Sequence, residues 1–394
     1  MIGEAVVRAV QNGVDEARLL KTARALVDIP SPTRDAGAVS DRLAEILTED
    51  GFGVERVEAD WPEAPAVVVR VDSGQSGKTL QFDGHLDTVH LPFAASSVED
   101  GVLHGSGASD MKGGVAAFVE ALRVLRDENL LSKGAVLMTA HDHHEGPWGD
   151  KRQVKALIRD GYVGDAVMFP EYLSDALPLR GRGLVIFNAT FERDGDPVHE
   201  VLRPSNLVDV NLAGADFLME MRAHNKQLSD RSKGPGKDSV FTGQISGGEI
   251  YNQAPTSCLV SGTRRWTEPG QGEAAIAELS AIATTVAERH GAKLNLTCSM
   301  QGDAFSIDEN NPAVLAFQEA YKSVAGGPLV AGEKPFMDDG NLYSELAGIP
   351  PITHGPNATG AHTLVESGPI SELVRVANVY ALTAIAFCSS DDAS

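Results

Sequence analysis

The sequence of 394 residues contains few cysteines and has much less positive than negative charge. Three cysteines, Cys258, Cys298 and Cys388, are an odd number without metal-type CxxC spacing, which excludes a disulfide framework and is typical of a reducing compartment. There are 33 lysines and arginines against 55 acidic residues, a net charge of -22. Nucleic acid and anionic membranes would be repelled by such a surface. We therefore expect a cytoplasmic protein with a small-molecule partner, and neither nucleic acid nor membrane as a partner.

Long hydrophobic runs are also missing. The sequence has no stretch of about 18 uncharged apolar residues, the length that a membrane span needs. Residues 1–20 mix acidic side chains into their apolar positions and lack the continuous apolar core of a secretory signal. The composition, 42% hydrophobic and 22% charged, is that of a folded globular protein, and the length favours two domains.

Helical and strand patterns alternate in the first part of the chain, which predicts an α/β domain. The predicted helices are 16–27, 39–47 and 113–125, and the predicted strands are 52–57, 66–71, 79–82, 135–139 and 166–169. Several of these strands run directly into polar clusters. Open α/β sheets bind their ligands at the carboxyl ends of strands, so these clusters are candidate site residues.

After residue 182 the pattern changes to longer strands and two long helices, near 207–223 and at 273–290, the second ending at Gly291. The glycine- and histidine-rich loops of the first part return near the C-terminus. We therefore predict a catalytic domain in two parts, 1–182 and 304–394, with an inserted domain at 183–303.

Candidate metal ligands follow three predicted strands, and two more lie in a glycine-rich turn and in one late loop. They are His85, Asp110, Glu145, Glu171 and His362, with Asp87 beside His85. A histidine next to a carboxylate is a common arrangement of a metal ligand and its orienting partner. Each residue alone has an ordinary explanation, for example Asp110 as the N-cap of the following helix. Their combination predicts a metal site.

The ordered motifs resemble one known family over nearly the whole chain. This family comprises the co-catalytic zinc hydrolases that include aminoacylase, acetylornithine deacetylase, succinyl-diaminopimelate desuccinylase and glutamate carboxypeptidase. Residues 84–89 (GHLDTV) and 107–114 (GASDMKGG) resemble its first two metal motifs, and Glu171 and His362 stand where its later ligands fall.

The resemblance implies a three-layer catalytic domain with a mixed sheet, of zinc-exopeptidase type, and an inserted α+β lid and dimerisation domain. It implies that His85 and Glu171 bind one metal ion and that Glu145 and His362 bind the other. Asp110 would bridge the two ions, and Asp87 would orient His85. A homodimer is implied as well.

Within the insert, the resemblance assigns three further residues. His199 stands where the family carries a histidine that reaches a neighbouring subunit's site and stabilises the oxyanion. Asn252 and Arg265 match its substrate-binding segments, although the adjacent Arg264 leaves the register open. An arginine and an asparagine suit a substrate carboxylate.

The third motif departs from the family. The family carries two consecutive glutamates there, a general base and then a metal ligand, whereas this chain has His144 followed by Glu145. We align Glu145 with the ligand and His144 with the base, because Glu145-Gly146-Pro147 continues as in some desuccinylase-like members of the family. A neutral imidazole accepts a proton near pH 7, so His144 is chemically able to act as the base. Two alternatives stay open: His144 could bind metal, or Glu145 could be the base, which would leave Gly146 at the ligand position and a one-metal site.

The predicted function is hydrolysis of an amide C–N bond in a small N-acyl amino acid or peptide by a metal-activated water. The metal would be zinc, with cobalt or manganese as alternatives, in one or two ions per chain. A hydrolytic deaminase acting on an activated arylamine is the second hypothesis. The third is a catalytically silent binding paralogue, which the retention of all predicted ligands disfavours.

Overall fold

A computed structural model describes residues 2–232, 236–334 and 336–390. Its helices are α1 Glu4–Gly13, α2 Glu16–Val27, α3 Gly37–Glu49, α4 Lys112–Asp127, α5 Arg152–Arg159, α6 Val210–Arg231, α7 Gly272–His290, α8 Pro312–Ala325, α9 Gly340–Leu342 and α10 Ile370–Cys388. A 3₁₀ turn at Glu200–Leu202 and a π turn at Tyr343–Ala347 accompany them. The predicted helix 16–27 agrees with α2, and 273–290 agrees with α7 within one residue.

The strands are β1 Val54–Val57, β2 Ala66–Asp72, β3 Thr79–His85, β4 Ser97–Glu99, β5 Val102–His104, β6 Ala135–His141, β7 Ala166–Phe169, β8 Leu177–Gly181, β9 Gly183–Glu192, β10 Val198–His199, β11 Ser239–Gly247, β12 Gln253–Ala254, β13 Ser257–Trp266, β14 Lys293–Gly302, β15 Phe305–Ser306, β16 Ala331–Lys334, β17 Pro351–Thr353 and β18 Ser367–Pro369. Strands β3 and β6 extend two to three residues beyond their predicted ends. The first polar residues of both clusters therefore belong to the strands themselves.

The chain forms two compact units. Unit 1 comprises Met1–Leu179, Ile307–Gly332 and Asp338–Ser394, and unit 2 comprises Arg180–Ser306 and Glu333–Met337. The boundaries predicted from sequence, after 182 and after 303, differ from these by three residues each. The prediction did not include the short segment 333–337 in the insert.

Unit 1 is built on a six-stranded mixed sheet in the order β1-β2-β6-β3-β7-β17. Strands β6, β3, β7 and β17 are parallel, whereas β2 is antiparallel to both β6 and β1. The predicted α/β class with a mixed sheet is confirmed. Because β3, β6 and β7 are parallel neighbours, their carboxyl ends lie at the same edge of the sheet.

Helices cover the two faces of this sheet. On one face, Phe82 of β3 stacks on Phe118 of α4 at 4.4 Å between ring centroids and also contacts Tyr380 of α10. A second cluster joins Val68 and Leu137 of the sheet to α5. Side chains alternate between the faces of a strand, so a sheet that is buried on both sides needs nearly continuous apolar strands. The sheet is therefore the middle of three layers.

Unit 2 is a four-stranded antiparallel sheet, β11-β13-β9-β14, with α6 and α7 packed on it. Inward-facing residues of β9 alternate with outward-facing ones, and Phe187 and Phe191 contact Phe217 of α6. Strand β11 is an edge strand of this sheet.

Helix α10 is long and apolar enough to cross a membrane by composition alone. In this structure 67% of the relevant window is buried in the protein, and the helix packs on α4 and α8. Burial of this kind is typical of a core helix.

Candidate metal centre

His85 ends strand β3 and is fully buried. Its Nδ1 lies 2.8 Å from the backbone carbonyl oxygen of Asp87, and its Nε2 lies 3.2 Å from Oδ1 of Asp110. A hydrogen bond from Nδ1–H to a carbonyl leaves the Nε2 lone pair for a metal ion. The orienting contact thus comes from the backbone of Asp87, whose carboxylate is 3.7 Å away.

The Asp87 carboxylate has a different partner. It accepts hydrogen bonds from the backbone N–H groups of His144 and Glu145, the second at 2.8 Å. Asp87 is completely buried. It therefore joins the loop after β3 to the loop after β6 and holds the main chain of the third motif against the first.

Asp110 lies in the turn before α4. The helix begins at Lys112, its N-cap is Met111 and that cap has no side-chain hydrogen bond, so the Asp110 carboxylate does not act as a helix cap. Instead Oδ1 faces His85 and Oδ2 lies 3.4 Å from Nε2 of His362. Two oxygens directed at two different histidines are the arrangement that a bridging carboxylate requires.

Glu366 fixes this turn and was not identified from sequence. Its carboxylate accepts hydrogen bonds from the backbone N–H groups of Gly107, Ser109 and Asp110 at 3.0–3.2 Å. Its position four residues after His362 is the only signal that the sequence offered. Glu366 thus links the late loop that carries His362 to the turn that carries Asp110.

Glu145 and His362 form the second half of the cluster. Nε2 of His362 lies 3.2 Å from Oε2 of Glu145. Glu145 is 4% exposed, whereas the His362 side chain is 56% exposed. This contact places Glu145 among the candidate ligands, in the register that aligns His144 with the base position.

Glu171 follows β7 and is 2% exposed. The chain here approaches α4 closely, because a Cβ added at Gly114 would lie 2.4 Å from the carbonyl oxygen of Pro170. Glu171 shares a group of potential metal-binding atoms, all within 4.8 Å of one another, with His85 and His144. A second such group comprises His85, Asp110 and Glu145.

The electrostatics of the cluster indicate surplus negative charge. Burial, reinforced by the charge of Asp110, raises the pKa of Glu171 well above its usual range. Hydrogen bonds to Asp110 and Glu145 raise the pKa of His362 to about 10. Burial lowers the pKa of His85, but the hydrogen bond and charge of Asp110 outweigh it and raise that pKa well above its usual range. Buried carboxylates are costly unless a cation compensates them, so these residues fit a divalent metal ion.

His144 lies beside the cluster, with its side chain 10% exposed. Its ring stacks on His85 with centroids 4.0 Å apart and planes 8° from parallel. Nε2 lies 4.0 Å from Oε1 of Glu171, and Nδ1 lies 2.7 Å from Oδ2 of Asp339. A Cβ added at Gly149 would meet the carbonyl carbon of His144 at 2.6 Å, so glycine allows the following loop to turn back tightly here.

A buried polar network behind His144 was also not identified from sequence. Asp339 is 3.2 Å from Nζ of Lys151 and 3.6 Å from Nε2 of His141. His141 in turn lies 3.2 Å from Asp83, which accepts a hydrogen bond from the Tyr343 hydroxyl at 2.9 Å. Asp339 follows β16 far from the third motif in sequence, so no local pattern connects it to His144.

In unit 2, the structure brings His199 and Asn252 together. Strand β10 pairs with β12, and Nδ2 of Asn252 lies 3.2 Å from Nε2 of His199. Arg193, which was not identified from sequence, donates to the backbone carbonyls of Ala254 and Pro255 at 2.8–2.9 Å. It holds the strand that carries Asn252 in place.

The two adjacent arginines of β13 have different surroundings. Arg264 is buried and paired with Asp238 and Glu278 at 3.2–3.3 Å. Nη1 of Arg265 has no hydrogen-bond partner among the residues that the structure describes. Burial and the nearby charge of Arg182 lower the pKa of Arg265. Nε of Arg264 also lacks a hydrogen-bond partner among the described residues, but its Nη2 is paired with two carboxylates.

Carboxylate and imidazole side chains thus converge at the carboxyl ends of three parallel strands, with one carboxylate directed at two histidines. Such a donor set suits a divalent metal ion, and metal-dependent hydrolases use sites of this kind to activate water. Comparison with known proteins gives the family. The sequence profile of Peptidase family M20/M25/M40 matches residues 82–386, and the chain belongs to this family.

The succinyl-diaminopimelate desuccinylase of Gluconacetobacter diazotrophicus is 27% identical over 385 residues, covering 92% of this chain and 95% of that enzyme. The enzyme of the same name from Acidiphilium cryptum is 28% identical over 385 residues, covering 93% and 97%. Among solved structures, a tripeptidase of Staphylococcus aureus superposes with a TM-score of 0.81 at 21% identity, covering 96% of this chain and 100% of that one. A dinuclear metal binding peptidase of Bacillus subtilis gives 0.70 at 15% identity, covering 95% and 99%.

These findings confirm the predicted class of function. The protein is a metal-dependent hydrolase that acts on the amide bond of a small N-acyl amino acid or peptide. They give no support to deamination of an arylamine or to a silent binding protein.

Proposed function

We propose that the substrate is an N-acyl amino acid or short peptide with a free carboxylate, cleaved at its amide bond. The convergence of His85, Asp110 and Glu145 in one buried group carries this proposal, because these side chains would hold the metal ion that amide hydrolysis by activated water needs. The bound metal would polarise the scissile carbonyl and lower the pKa of the attacking water.

Hydrolysis of a substrate panel tests the proposal. The panel contains N-acyl amino acids, N-succinyl amino acids, dipeptides and arylamines, offered to chelated protein and to protein reloaded with zinc, cobalt or manganese. We expect metal-restored release of an amino acid from one acyl class. Release of ammonia from an arylamine alone, or no turnover despite bound metal, would contradict the proposal.

A matched pair of variants links the activity to the site. Glu145→Gln removes one carboxylate charge from the cluster, and we expect it to lose both bound metal and activity. Glu99→Gln makes the same chemical change on the exposed strand β4, and we expect it to lose neither. Equal activity of the two variants would argue against Glu145 as a ligand.

We propose a two-ion site with zinc as the metal. His85 and Glu171 would hold one ion and Glu145 and His362 the other, with Asp110 between them, because its two oxygens face different histidines. Mixed imidazole and carboxylate ligands also suit cobalt and manganese. Metal analysis of protein purified without added metal decides the element and the number of ions per chain.

We propose that His144 is the general base, in the position where the family carries a glutamate. An imidazole donates its lone pair in the plane of its ring. The His85 and His144 planes are nearly parallel and separated, so both rings cannot point at one ion as they stand. Nε2 of His144 still faces the cluster beside Glu171. It would accept a proton from the attacking water and return it to the leaving amine.

We propose that unit 2 supplies the remaining substrate contacts. His199 would stabilise the oxyanion, and Asn252 and Arg265 would hold the substrate carboxylate. Support comes from the contact between His199 and Asn252 and from the unpaired Nη1 of Arg265, while Arg264 has its own acidic partners. A substrate whose carboxylate is converted to an amide should then bind more weakly to the wild type but equally to Arg265→Ala.

We propose a homodimer formed through unit 2, in which His199 serves the partner's site. Edge strand β11 exposes Phe241 at 67% and Ile245 at 46%, and α6 exposes Leu212 and Met219 at 56% each. A hydrophobic edge strand is a ready surface for pairing with another chain. Light scattering with size-exclusion chromatography measures the oligomeric state.

We propose a cytoplasmic location. Cys258, Cys298 and Cys388 are unpaired, as expected of a protein in a reducing compartment. Cell fractionation with an antibody against the protein tests this, and recovery with periplasmic or secreted proteins would contradict it.

A further inference from the structure

Asp339 makes the shortest contact of the His144 side chain. Its Oδ2 lies 2.7 Å from Nδ1 of His144, and Asp339 is 2% exposed. We infer that Asp339 is a positioning residue, which fixes the tautomer and orientation of His144 and makes this imidazole a substitute for the glutamate of the family. The inference rests on the proposed role of His144 as the base.

The contact determines which ring nitrogen carries the hydrogen. An ionised carboxylate only accepts hydrogen bonds, so Nδ1 of a neutral His144 must donate to it. The lone pair then resides on Nε2, the nitrogen that faces Glu171 and the metal ligands. Without Asp339 the ring could adopt the other tautomer or rotate, and Nε2 would no longer be a directed acceptor.

The surroundings of Asp339 keep its carboxylate ionised. Burial alone would raise its pKa, but the charge of Lys151 and the hydrogen bond from His144 hold this pKa well below its usual range. Nζ of Lys151 lies 3.2 Å from Oδ1 of Asp339 and also donates to the backbone carbonyl of His144 at 2.6 Å. Lys151 thus holds both members of the pair.

Helix capping does not explain Asp339. It is the N-cap residue of α9, but its side chain makes no capping hydrogen bond. The neighbouring Asp338 has the structural role: it accepts from the backbone N–H of Gly340 and from the hydroxyl of Thr353, both at 2.8 Å. Asp338→Asn is therefore a matched control for Asp339→Asn.

The geometry predicts why Asp339→Asn should impair catalysis. The Lys151 ammonium lies 3.2 Å from the Oδ1 position, so the single amide oxygen of asparagine would turn towards this positive charge and the NH₂ group away from it. The amide NH₂ group would then face Nδ1 of His144 and favour the tautomer that has its hydrogen on Nε2. An asparagine in place of the aspartate of a serine-protease triad impairs catalysis through the same wrong tautomer.

A double-mutant cycle tests the inference on the best substrate of the panel. We expect Asp339→Asn to lower kcat at least about 10-fold, as loss of an orienting partner does, with KM and metal content unchanged. In a His144→Gln background the same substitution should have no further effect. In a His144→Glu background it should not lower kcat, because a carboxylate base needs no acidic partner. The control Asp338→Asn should lower thermal stability and leave kcat within about 2-fold.

The outcomes distinguish the positioning role of Asp339 from the proposed role of His144 as the general base. Full activity of His144→Gln would remove the base proposal and the positioning role together. An inactive His144→Gln with a fully active Asp339→Asn would overturn the positioning role alone, as would an equal loss of kcat from Asp339→Asn in all three backgrounds. If Asp339→Asn does not fold, ¹⁵N NMR of histidine in the metal-loaded wild type gives the answer, with His144 assigned through His144→Gln. A hydrogen on Nδ1 is expected, and a hydrogen on Nε2 would overturn the inference.

Discussion

The ion pair between His141 and Asp83 predicts a specific pH dependence of stability. Both side chains are fully buried, with Nε2 and Oδ1 3.2 Å apart. Burial lowers the pKa of His141, but the charge of Asp83 and its hydrogen bond outweigh this and raise the pKa to about 9. Each pKa unit corresponds to about 1.4 kcal/mol, so a rise from 6.5 to about 9 contributes about 3 kcal/mol to the free energy of unfolding.

The direction of this pH dependence follows from the raised pKa of His141. The folded state holds the proton more tightly than the unfolded state, so the full contribution is present below pH 6.5 and is lost as the pH rises through about 9. Asp83→Asn keeps the shape of the side chain and removes its charge. We expect this variant to be about 3 kcal/mol less stable than the wild type at pH 6 and closer to it at pH 9.5.

Urea unfolding of the metal-free proteins, with hydrogen exchange of β3 and β6 amides as a local readout, measures this difference. Tyr343→Phe is the control, because it removes the hydroxyl that donates to Asp83 and accepts from Gln81 but leaves the charges of Asp83 and His141 in place. It should cost about 1 kcal/mol at every pH. A difference between Asp83→Asn and the wild type that is the same at pH 6 and pH 9.5 would refute a charged His141 in the folded state.

Four further substitutions test the site and the insert. Asp110→Ala should lower kcat/KM at least about 100-fold and reduce the metal content, measured by mass spectrometry of dialysed protein, because it removes the carboxylate that faces both histidines. Arg265→Ala should raise KM for a carboxylate substrate about 10-fold or more with little change in stability. Arg264→Ala should instead cost about 2 kcal/mol in urea unfolding, since Asp238 and Glu278 lose a buried partner but stay partly exposed. Phe241→Asp should convert a dimer to a monomer in light scattering without changing metal content.

For each of these substitutions, one result would contradict the role that we assign to the residue. Normal metal content in Asp110→Ala would remove the bridging role. A larger loss of substrate affinity in Arg264→Ala than in Arg265→Ala would reverse their assignment. A wild type that is monomeric at micromolar concentration, or an unchanged dimer in Phe241→Asp, would argue against the β11 edge.

Much of the fold follows from periodicity in the sequence. Strand β7 and helix α2 were predicted with their observed ends, because their apolar patterns are continuous and their neighbours break them. The ends of β3 and β6 were predicted too early. Polar residues such as Asp83 and His141 stop an apolar pattern, but here each satisfies the other inside the sheet, so the strand continues.

The candidate ligands were available from sequence because each follows a strand or lies in a recognisable motif. The family, the α/β class and the candidate ligands could be predicted from residue type, order and spacing along the chain. Which oxygen of Asp110 faces which histidine, which arginine of β13 is paired with Asp238 and Glu278, and the pairing of His144 with Asp339 were decided only by the tertiary structure. Asp339 lies 195 residues from His144, and a hydrogen bond depends on distance and direction in space, for which sequence separation is no guide.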